Sequence, residues 1–136
     1  MTKKAQVSTE YLIVVGFITL VLIGILAIAI IYSGAVKDKI KMSQITTFAS
    51  KIISSSEKTF YSGEPSKATF YAYLPDNVLD ITIDEDSLFF TIQTSSGINK
   101  ISFSSNVPIS GTLTSSSGLK KIQVIAQGNT VIISQV

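Results

Sequence analysis

The chain has 136 residues, 46% of them hydrophobic, with 11 basic residues against 9 acidic ones and neither Cys nor His. Lacking Cys it has no disulfide or thiolate metal site, and lacking His it has neither the usual general base nor the commonest metal ligand, so no enzyme activity, cofactor or metal is expected. The +2 formal charge resides in Lys3 and Lys4, the remaining charges balancing, which argues against a nucleic-acid partner.

At this length there is room for one domain plus an extension. The extension comes first. After the polar stretch "AQVSTE", no residue from Tyr11 to Tyr32 is charged, and Thr19 is the only clearly polar side chain among them. A helix of that length spans roughly 33 Å, enough to cross a hydrocarbon core of about 30 Å. Two ordinary readings apply. A secretory signal would use Lys3 and Lys4 as its basic start and Ser33 to Ala35 as its cleavage site. Its apolar run is normally only about 7 to 15 residues, however, and Glu10 sits where cations belong. A plain single-span anchor is the other; Lys37, Lys39 and Lys41 follow the span just as Lys3 and Lys4 precede it, leaving orientation open. Gly16 and Gly24 either let neighbouring helices approach closely or are simply glycines of the kind common in spanning helices.

From Ser33 onward the pattern becomes amphipathic. Met42, Ile45, Phe48, Ala49, Ile52, Ile53 and Phe60 recur at helical spacing, while Lys39, Ser43, Ser50, Lys51 and Ser54 fall on other faces. Nothing breaks the run before Gly63 and Pro65, so one helix is expected from Gln6 to Ser62, roughly 85 Å long. Beyond Lys67 the period becomes two. "KATFYAYL", "VLDITID", with Leu79, Ile81 and Ile83 on one face, and "LFFTIQT", with Leu88, Phe90 and Ile92 likewise, read as strands. So do "KISFS", "ISGTL", "LKKIQVIA" and "TVIISQV". The separators "PDN", "EDS", "SSGIN", "NVP", "TSSSG" and "GN" are turn-rich. The expected fold is α+β: a long N-terminal hydrophobic helix followed by a small antiparallel, sandwich-like β domain. The expected boundaries are 1–5 for a leader, 6–62 for the helix, apolar to 32 and amphipathic from 33, and 63–136 for the strands.

The remaining motifs carry little. "DEDS" at 84–87 lacks the spacing and glycine of a calcium loop. Ser55 with Lys58, and Ser117 with Lys120, fit S-x-x-K without the companion motifs of the penicillin-binding enzymes. No N-x-S/T sequon occurs. Phe60, Tyr61, Phe70, Tyr71 and Tyr73 either line an attachment surface or, mostly, pack into a core by strand alternation.

"KKAQVSTEYLIVV" closely resembles the class III signal peptide of archaeal type IV pilins: Lys3 and Lys4 as a short basic leader, a small residue, then Gln6, Ser8 and Glu10 at alternate positions before an apolar helix. Val14 stands where that pattern often has Leu. The resemblance implies cleavage between Ala5 and Gln6 by a membrane-embedded prepilin peptidase. It further implies residence in the membrane before assembly, export by a pilus assembly platform and its ATPase, and polymerisation with copies of itself into an extracellular adhesive filament. Cutting at Ala5 would free an amine at Gln6 to pair with Glu10 of a neighbouring copy. At about 4 Å and an effective dielectric near 20 that attraction is on the order of 4 kcal/mol before desolvation, so it sets register. Favouring the positive end of its own helix would give Glu10 roughly 0.3 to 1 kcal/mol, and both effects can hold. The larger contribution would come from apolar side chains such as Leu12, Ile13, Phe17, Leu20, Leu22, Ile25 and Ile28, each worth about 1.5 to 3 kcal/mol when kept from water. A membrane-anchored β domain acting as a binding module is the alternative, and it predicts a concave polar pocket in the sheet domain.

Overall fold

A computed structural model describes the backbone from Lys3 and the side chains from Ser8, in each case to Val136. The elements are one helix, α1 (Lys3–Tyr61), followed by seven strands: β1 (Lys67–Leu74), β2 (Val78–Asp84), β3 (Ser87–Thr94), β4 (Gly97–Ser104), β5 (Ile109–Thr112), β6 (Gly118–Gln127) and β7 (Thr130–Gln135). The layout is the α+β arrangement expected. It divides into two compact units, Met1–Lys37 and Asp38–Val136. The amphipathic part of α1 from Asp38 onward falls in the same unit as the strands.

Helix α1 contains no proline, and its 59 residues run without interruption until Gly63, whose φ of +76° suits the left-handed conformation that ends a helix. The backbone N–H groups of Ser62 and Gly63 donate to the carbonyls of Lys58 and Phe60, both at 3.0 Å, and so satisfy two terminal acceptors. Within the second unit α1 buries Ile45, Phe48, Ala49 and Ile52, the centre of the amphipathic pattern. Met42 is instead exposed, and Ile53 and Phe60 are only half-buried. The same face continues at helical spacing through the buried Ser56 and Thr59, small polar residues that hydropathy alone passes over.

The strands form two sheets, β1-β6-β7-β5 and β2-β3-β4. Their inner faces meet α1 in one core that includes Leu74, Leu88, Phe90, Ile122, Val124, Val131 and Ile133. Phe90 lies edge-on to Phe48 at 6.0 Å and to Phe103 at 5.8 Å. Polar clamps fix the helix to the strands. The Asp38 carboxylate accepts from the Ser95 N–H at 3.0 Å and from the Ser95 hydroxyl, and Glu57 accepts from the Asn106 side chain at 2.8 Å. Lys41 pairs with Asp76 at 3.2 Å, and the Lys51 ammonium donates to the Tyr71 carbonyl at 2.7 Å.

Three differences from the sequence expectation have physical causes. The sheets are not wholly antiparallel: the β6–β7 hairpin brings β7 back beside β5 in the same direction, Ile109 opposite Val131. There Gly111, at φ +138°, lies so close that an added Cβ would sit 1.9 Å from the Ile133 carbonyl oxygen. In β2, a register shift between Val78 and Asp80 takes Leu79 out of the alternation, so Val78 and Ile81 are buried while Leu79 is exposed. Finally, "SSGIN" is a shorter turn than expected, since β4 already begins at Gly97, opposite Thr94.

Candidate assembly helix

Ser8, Thr9 and Glu10 form the polar threshold of α1, and all three are exposed. The side chains of Lys3, Lys4, Ala5 and Gln6, which carry the rest of the processing pattern, lie outside the described residues. Their backbone is helical, so α1 begins before the expected cut instead of at Gln6.

Beyond the threshold the apolar residues are exposed on every side. Leu12 (66%), Phe17 (67%), Leu20 (69%) and Ile25 (58%), the expected assembly residues, are among them. At about 100° per residue these four positions spread around the helix and do not form one stripe. A two-helix seam would cover one side only. An all-round apolar surface needs an apolar medium all round, either lipid or several neighbouring helices. Among the described residues one helical stretch, within Ser8–Tyr61, is long and apolar enough to cross a membrane, which is compatible with membrane anchoring.

Polar groups inside this run make no demand on neighbours. The Thr19 hydroxyl donates to the Val15 carbonyl at 2.8 Å, closing its bond within the helix. An added Cβ on Gly16 or Gly24 would meet nothing within 4 Å, so neither glycine is required by packing within the chain.

Elsewhere, a groove of about 330 Å³ runs between α1 and β1, lined by Ser43, Gln44, Thr47, Lys51, Tyr71 and Tyr73 among others. Sequence reading left the tyrosines mostly to the core. Phe60 and Phe70 do pack against it, but Tyr61, Tyr71 and Tyr73 are exposed. Sequence reading met Lys120 only as part of an S-x-x-K match and did not foresee its burial. Its side chain points to the inner side of β6, where its ammonium donates to Thr114 at 2.7 Å, Ser116 at 3.0 Å and Gln135 at 3.3 Å. Burial holds its pKa below the usual lysine value. The clue was its place in the alternation of β6, in step with Ile122 and Val124. Among the described residues no three acidic side chains gather as a metal-binding group, the 84–86 turn included.

No protein-family model matches the chain, nor does any curated protein or solved structure.

Proposed function

We propose that the chain is a pilin, the structural subunit of an archaeal type IV adhesive pilus. On this reading it is inserted in the membrane as a precursor, cleaved between Ala5 and Gln6, and polymerised outside the cell with α1 in the filament core and the strands outward. The observation that carries the proposal is the apolar surface of residues 11–32, exposed on every side and preceded directly by the acid Glu10. Lipid satisfies that surface before assembly, and copies of the same helix satisfy it afterwards. The resemblance of "KKAQVSTEYLIVV" to pilin leaders supplies the processing step.

The test is the first residue of the natural protein. Gln6 is the expected result; Val36 would mark a secreted domain and Met1 a plain anchor, and either would end the reading. The second reading is an anchored binding module, for which the groove between α1 and β1, apolar over most of its lining, is a candidate concavity. That reading differs in predicting a monomer after mild detergent extraction.

A further inference from the structure

Charge is divided unevenly over the strands. The sheet β1-β6-β7-β5 contains no acid in any of its strands, and its outer face presents Lys67 and Lys121. Tyr71 lies opposite Lys121, and Tyr73 opposite Leu119. The exposure of Tyr71 (56%), Tyr73 (53%) and Leu119 (69%) leaves three large side chains together on that face, two of them tyrosines, a residue type enriched at contact sites. The acids gather in the other sheet, where Asp80 and Asp84 lie on β2 and Glu85 and Asp86 form the β2–β3 turn. Among the described residues the one ion pair is Lys41–Asp76, so neither set is neutralised within the chain. Nor do they adjoin: the Glu85 carbonyl accepts from Ile109 of β5, and β7 lies between β5 and β6.

We infer that the outer face of the β1-β6-β7-β5 sheet, centred on Tyr71, Tyr73, Leu119 and Lys121, docks on the acidic β2–β3 turn of a second copy of this chain. The contact joins two different surfaces. Repeated from copy to copy it is head-to-tail, the kind of interface that builds rings or open helical filaments instead of closed pairs. The inference rests on the pilin reading and adds a second contact to it, outside the helical core. Complementary charge sets which surfaces meet, and the tyrosines and Leu119 supply the apolar burial.

Co-assembly of two charge-reversed subunits tests this. Lys67→Glu with Lys121→Glu makes the face acidic; Asp84→Lys with Asp86→Lys makes the turn basic. All four residues are exposed, and immunoblotting of membranes checks that each chain accumulates. Cells producing either variant alone are expected to carry roughly tenfold fewer filaments by electron microscopy. Cells producing both should recover filaments containing both chains, because the acidic face of one then meets the basic turn of the other. Wild-type filament numbers from either variant alone would overturn the inference, as would failure of the pair to recover. So would loss of binding to phosphatidylglycerol vesicles by the acidic-face variant with filaments unchanged, since the partner would then be a membrane. If the wild-type chain itself formed no filament, the pilin reading would fall with it, a result distinct from normal wild-type filaments without recovery.

Discussion

Single residues show how the β domain tolerates polarity in its interior. Lys120 is 4% exposed and has hydroxyl and amide oxygens, not a carboxylate, around its ammonium. Its folded pKa is lowered by burial, so between that value and the ordinary 10.5 the unfolded chain binds more protons. Stability should therefore rise as pH climbs through this window, and Lys120→Met should flatten the rise. The same substitution should leave the domain unchanged or more stable by about 1 kcal/mol at pH 7, read from thermal unfolding of the full chain in detergent. Asp38 has the opposite sign. The Ser95 hydroxyl, and then the Ser95 N–H, hold its carboxyl below the ordinary 3.8. Its contribution is present above that value and is lost as pH falls through the folded pKa; Asp38→Asn should remove this acid-side dependence. Gly111 answers to sterics alone. Gly111→Ala puts a methyl group against the Ile133 carbonyl at a positive φ, and about 3 kcal/mol of destabilisation is expected in the same unfolding measurement.

Elements were legible in the sequence where one periodicity held from end to end. "KATFYAYL" coincides with β1, and "GN" is the two-residue turn between Gln127 and Thr130. The buried centre of α1 was equally plain, and its packing gives a direct test. Phe48→Ala should cost about 3 to 5 kcal/mol, since Phe48 is 1% exposed and contacts Phe90 edge-on. What escaped were features set by a neighbouring strand. The register shift in β2 reverses Leu79, the parallel β5–β7 pairing depends on strand order, and Lys120 is held by Thr114 and Ser116 of the preceding loop together with Gln135 of β7. A linear pattern carries no information about such partners. The candidate site divides the same way. The exposed apolar run and Glu10 were readable as sequence, but the outward tyrosines of β1 and the acid-free sheet emerged only once the strands were ordered.

For the whole molecule, the decisive matter is what surrounds residues 11–32. A helix apolar on all sides has no stable place in water, and extraction costs about 1.5 to 3 kcal/mol for each large side chain. The large side chains of this run are all exposed, and an apolar medium all round is what such a surface requires. On the proposed pilin reading, Glu10 matters at the transfer from lipid to filament. Glu10→Ala should be processed and retained in the membrane yet form few filaments, which immunoblotting and filament counts would distinguish. The most direct measurement is the state of the natural protein after gentle release from cells: shearing without detergent, then electron microscopy and mass analysis of the sedimented material. The pilin reading predicts filaments built of this chain, with the 11–32 helices bundled along the axis and no lipid between them. A chain absent from any filament, recovered as a monomer only after detergent extraction, would contradict it.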